Sequence, residues 1–152
     1  MSESVSEAVN DAVARTVGIV ALGGIALIHA LQVPEAFAET VYLGVLFIGA
    51  ILASLGLAAV LTRTSDQRAW VAAGGLAAAI MLGYVLTRTS GLPDATLDVG
   101  NWTEPLGLAS LVAEGLVVCV TAGVLASRTA VPRPTLANQP VRTTRGTQEE
   151  AA

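Results

Sequence analysis

The chain contains no lysine. All eight of its basic residues are arginine, set against twelve acids for a net charge of −4. A protein that grips nucleic acid needs a basic face, so nucleic acid is excluded as a partner. There is one cysteine, Cys119, which rules out an intrachain disulfide, a C-x-x-C redox pair and a cysteine-based zinc cluster. A single histidine, His29, rules out bis-histidine haem within one chain. No P-loop, G-x-G-x-x-G, H-E-x-x-H or G-x-S-x-G occurs, so no residue is assigned a catalytic or cofactor-binding role. Charged residues make up only 13% of the 152, against roughly 25% in an average soluble domain. That is too few to cover a water-facing surface, and a water-soluble enzyme is excluded with it.

What remains is apolar: 53% hydrophobic, with a mean hydropathy of +0.67. About 20 helical residues cross some 30 Å of hydrocarbon. Four stretches reach that scale, at 16–34, 40–62, 69–87 and 105–127, and Glu114 is the one charge within them. None alternates with period two, so helices rather than barrel strands are expected. Pro34 is expected to close the first span, and Thr103 to cap the fourth, with Glu104 and Pro105 in its first turn. The hexapeptide VLTRTS occurs at 60–65 and again at 85–90, placing an arginine at two helix ends, and Arg128 stands in a similar place at a third.

Arginine placement sets the direction. With the N-terminus in the cytoplasm, Arg15, Arg63, Arg68, Arg128, Arg133, Arg142 and Arg145 lie inside and only Arg88 outside, as the positive-inside rule requires. Trp70 is then expected at the inner interface, and Tyr42, Tyr84 and Trp102 at the outer one. The expected fold is an all-α, up-down bundle of four transmembrane helices, N-in and C-in. Residues 1–15 form an amphipathic cytoplasmic lead-in, 16–127 the membrane domain, and 128–152 a disordered cytoplasmic tail. An alternative treats span one as a signal core, because Ala36-Phe37-Ala38 offers an A-x-A cleavage site. Small-residue ridges at Gly49/Ala53/Gly56, Gly75/Ala79/Gly83 and Gly115/Cys119/Gly123 suit close helix packing, within the bundle or between chains.

Three groups of polar residues stand out. Glu114 falls near the bilayer midplane on one face with Gly107, Ser110 and Thr121. With Ser110 it is either a proton or cation site or a carboxyl that ties two helices together. His29, with Glu35 and Glu39 beyond the end of span one, suits a metal ion or a proton relay, or else His29 is a packing residue. The loop 91–104 contributes Asp94, Asp98, Trp102 and Glu104 and lies beside Arg88. It reads as a cation-collecting vestibule, a partner-docking cap or a plain solvated loop.

The alanine-rich, lysine-free composition resembles that of small membrane proteins from high-GC bacteria. The leading expectation is a non-enzymatic accessory or structural subunit of a plasma-membrane assembly, embedded in the lipid bilayer beside a protein partner or copies of itself. Two alternatives stay open: a small proton- or cation-coupled transporter working through Glu114, and a membrane oxidoreductase or metal-binding protein around His29.

Overall fold

The computed structural model describes residues 2–129, with side chains from residue 5 onward. The disordered tail expected beyond Thr129 lies outside the described residues. Those residues form four α-helices and no strand: α1 Ser2–Glu39, α2 Val41–Arg63, α3 Gln67–Thr89 and α4 Pro105–Thr129. All four are long and apolar enough to cross a membrane. Their many exposed valines and leucines, such as Val20, Leu52, Leu82 and Val112, form the surface that a lipid bilayer would cover.

Pro34 does not close the first helix. It lies inside α1, which runs on through Glu39. Proline forfeits one amide hydrogen bond, but the segment beyond it is held by packing. Ala36 is buried with Leu43 and Ala95, and Phe47 and Leu92 pack against them. Thr40 alone, in extended conformation, separates α1 from α2. The expected lead-in is helical from Ser2 and runs without a break into the rest of α1.

Contacts fix neighbouring helices in antiparallel register. Phe37 of α1 crowds Gly44 of α2, while Gly18, near the other end of α1, meets Trp70 and Leu61. Along α4, Gly107 meets Tyr84 and Thr121 meets Gly74 of α3. Gly24 of α1 faces Ala113 of α4. Helix α1 therefore lies between α2 and α4, and α3 closes the ring.

The core runs from the middle of the bundle to the end where α1 begins and α4 finishes. Leu22, Ile25, Leu61, Trp70, Ala73, Ala77 and Val117 are all sealed there. Trp70 is fully buried, with its ring on Gly18. Its ring is turned into the bundle against Gly18 and so does not face the bilayer surface as an interface anchor would. Close helix approach uses Gly18, Gly44, Gly74 and Gly107, where a Cβ would strike the neighbouring side chain. The glycines of the three expected ridges behave differently. Gly49, Gly56, Gly75, Gly83, Gly115 and Gly123 have no such neighbour within 4 Å. Their faces point out of the bundle.

Arginines close the helix ends near the termini. Arg15 donates from Nε to the Leu61 carbonyl at 3.0 Å and from Nη2 to the Thr62 carbonyl at 2.9 Å, satisfying the last turn of α2. Arg128 donates to the Ser65 carbonyl at 2.5 Å, and Ser65 Oγ donates to Asp11 at 2.9 Å. Asp66 caps α3 by accepting from the Arg68 amide at 3.0 Å.

Candidate functional site

Two polar groups stand out against this apolar frame: a charged cage at one end and a carboxyl in the middle. The cage is built around Arg88 in the last turn of α3, only 5% exposed. Its Nη1 lies 2.5 Å from Asp98 and its Nη2 3.8 Å from Glu104. The guanidinium stands over the Tyr84 ring, 4.7 Å from the centroid. Its Nε is buried without a partner among the described residues.

Glu104, not Thr103, caps α4. One carboxylate oxygen accepts from the Leu106 amide at 2.9 Å and the other from the Gly107 amide. An acid placed directly before Pro105 meets the free N–H groups of the first turn, where the helix dipole favours negative charge. Gln32 of α1 also reaches Glu104, at 3.5 Å. The cage thereby ties α1, α3 and α4 together.

The segment 91–104 folds over this cage. Gly91, with φ +71°, returns its amide to the Leu86 carbonyl at 2.9 Å, a left-handed stop that glycine adopts without strain. Leu92 and Ala95 exchange two 2.9 Å backbone bonds around Pro93 and Asp94, and Gly100 donates to the Arg88 carbonyl at 2.9 Å. Aromatic residues pin the outside: Tyr42 donates to the Pro93 carbonyl at 2.6 Å and Tyr84 to the Trp102 carbonyl at 3.2 Å. Tyr84 and Trp102 also meet edge to face.

The carboxylates at this end are largely engaged. Asp98 and Glu104 face Arg88, and Glu39 accepts from the Leu97 amide at 3.1 Å. Glu35 and Asp94 are the two left exposed. The geometry is that of a knitted cap.

Glu114 occupies the middle of α4, only 1% exposed, on the buried face with Gly107, Ser110, Val117 and Thr121. The i, i+3/i+4 spacing of these residues makes that face. Ser110 Oγ donates to Glu114 Oε1 at 2.5 Å, and Oε2 has no partner among the described residues. Ser110 and Glu114 thus come together as their spacing suggests. From Glu104 through Gly107 and Ser110 to Glu114, one side of α4 carries a column of small or polar groups. Below it stand Val117 and Leu22, and Ile25 lies alongside, all fully buried. Such a column can hold a proton or small cation halfway across the bundle, or fix helix register.

His29, Glu35 and Glu39 do not converge. His29 bonds through Nδ1 to the Ile25 carbonyl of its own helix at 2.9 Å and meets the Phe47 ring at a tilt of 51°, with centroids 4.9 Å apart. Because α1 continues past Pro34, Glu35 and Glu39 follow on the same rigid helix. Six residues at 100° each turn Glu35 about 120° away from His29. Among the described residues, no three His, Cys, Asp or Glu side chains are grouped to hold a metal. His29 also stays apart from Glu114. The Gly24–Ala113 contact sets the register, and His29 lies five residues further along α1, about 7 Å.

The Asp11–Ser65–Arg128 chain and the link from Gln32 to Glu104 had no sequence signal, since each joins residues more than fifty positions apart. No family model, curated protein or solved structure is significantly similar to this chain.

Proposed function

We propose that this protein is a non-enzymatic subunit of a bacterial plasma-membrane assembly, inserted with both termini in the cytoplasm, which docks on a membrane partner through its outward small-residue faces. The orientation rests on the ring of arginines near the termini. The docking rests on one observation: the Gly75/Ala79/Gly83 stripe of α3, with its counterparts on α2 and α4, has open space where a Cβ would stand. In lipid, helices associate by close backbone approach over such stripes rather than by a hydrophobic drive. A bundle that packs its own interior with other glycines leaves these stripes free for a second protein.

Extraction in mild detergent is expected to yield a stoichiometric complex, which Gly75→Leu with Ala79→Leu disperses while the subunit stays folded. A complex indifferent to those substitutions, or a monomer that cross-links to nothing in native membranes, refutes the proposal. Self-association through the stripe would make the partner a second copy.

The buried carboxyl favours a second reading, a small proton- or cation-coupled transporter. Glu114 has one oxygen on Ser110 and one without a partner, at a depth where an acid costs roughly 2.5–3.5 kcal/mol. Flux in proteoliposomes is expected to vanish in Glu114→Gln on this reading. A purely structural Glu114 predicts that the Gln variant assembles with its partner as the parent does.

A further inference from the structure

The seam between α1 and α4 holds two grooves beside the Gly24–Ala113 contact, the first taking in Gly123 at the end of the α4 stripe and leaving the α2 and α3 stripes free. The first, about 580 Å³, lies at the end nearest the termini. Its mouth carries both signs of charge, Glu7 and Asp11 from α1 and Arg128 from α4, above a floor of valines including Val17 and Val124. The second, about 380 Å³, continues from Val17 along Val20, Gly24, Val112 and Leu116. Its one polar side chain, Thr16, is already bonded to the Ala12 carbonyl. From Glu7 to Gly24 the seam spans seventeen residues of one helix, about 25 Å. That is close to one leaflet of a bilayer with its headgroups, about 20–22 Å.

We propose that this seam binds one aminophospholipid of the phosphatidylethanolamine class, from the leaflet beside the termini. The phosphate meets Arg128, the ammonium meets Glu7 and Asp11, and an acyl chain lies along Val17, Val20, Val112 and Leu116. Charge complementarity selects the headgroup. A lipid with a phosphate and no amine would place its negative charge beside two uncompensated carboxylates. A choline headgroup has the positive charge but no N–H to donate. Arg128 and Asp11 are held in place before any lipid arrives, because Ser65 accepts from Arg128 through its carbonyl and donates to Asp11 through its hydroxyl. The residues after Thr129 are the competing occupant at the mouth. A peptide cannot fill the deeper seam, where its backbone groups would find neither water nor partner.

The full chain in nanodiscs of equal phosphatidylethanolamine, phosphatidylcholine and phosphatidylglycerol, followed by native mass spectrometry, tests the proposal. About one phosphatidylethanolamine per chain is expected to remain bound, preferred over the others about fivefold, the ratio one exposed ion pair supports. Glu7→Gln, a side chain with no bond to the bundle among the described residues, should bring phosphatidylethanolamine near parity with phosphatidylcholine. Val112→Trp, on an exposed wall, should block the seam and abolish retention of all three. A photo-cross-linker at Gly123, which has open space at its Cβ, should capture lipid. Equal retention of the three lipids, no retention, or cross-links to residues 130–152 overturns the proposal.

Discussion

Replacing Arg88 by methionine should loosen the cap that 91–104 forms over its end of the bundle, and the structure sets the size of the effect. Methionine keeps most of the aliphatic packing but removes the charge between Asp98 and Glu104. The 2.5 Å bridge to Asp98 is the closest contact, yet that carboxylate is 40% exposed, so the pair contributes about 1 kcal/mol. Stacking on Tyr84 adds about 1 kcal/mol for a cation largely withdrawn from water. Glu104, at 3.8 Å, adds a few tenths and keeps its own amide partners in the variant. Against these, the buried unpartnered Nε is relieved when the guanidinium goes. The net loss is about 2 kcal/mol. It falls below the 3–5 kcal/mol seen when a fully buried pair is broken, because Asp98 remains in contact with solvent. Equilibrium unfolding in mixed micelles would read the loss, and limited proteolysis within 91–104 should become faster. In a double-mutant cycle with Asp98→Asn, about 1 kcal/mol of coupling is expected. An Arg88→Met protein as stable and as protease-resistant as the parent would refute the cage as the device that holds the cap.

Trp70→Ala should cost about 3–5 kcal/mol by opening a cavity beside Gly18, whereas Trp102→Ala, on a half-exposed ring, should cost about 1 kcal/mol or less in the same unfolding assay. Gly107→Ala sets a Cβ 2.6 Å from the Tyr84 ring and 2.7 Å from Glu104 and should destabilise by about 1–3 kcal/mol, while Gly115→Ala, with open space, should leave the isolated subunit unchanged. Ser110→Ala strips Glu114 of its one hydrogen bond and should destabilise by about 1–3 kcal/mol, more than Glu114→Gln, which retains an acceptor for the serine. A Ser110→Ala variant as stable as the parent would show that the pair does not hold the middle of α4.

Composition and spacing alone determined that the chain is built of four apolar helices. Their lengths match the hydrocarbon thickness, and the scarcity of charge leaves no other solvent for such a surface. The same one-dimensional periodicity put Gly107, Ser110, Glu114 and Thr121 on one face, because side-chain direction along a helix is a local property. Non-local relations had to wait for the fold. The hexapeptide VLTRTS shows this most directly. In its first copy Arg63 is exposed, and in its second Arg88 is buried in a cage of Asp98, Glu104 and Tyr84. Even the helix ends differ: α2 stops at Arg63 with Thr64 extended, whereas α3 runs on to Thr89 with Ser90 still in helical conformation. The surroundings of each arginine come from a loop and a helix distant in the chain. Pro34 stands inside a helix for the same reason, since the packing of Ala36 against Leu43 and Ala95 outweighs one missing hydrogen bond. With that helix unbroken, His29 and the glutamates beyond it took separate faces. The glycine stripes, alike as sequence to those that pack the interior, were sorted into inward and outward faces only by which neighbours the tertiary structure set against them.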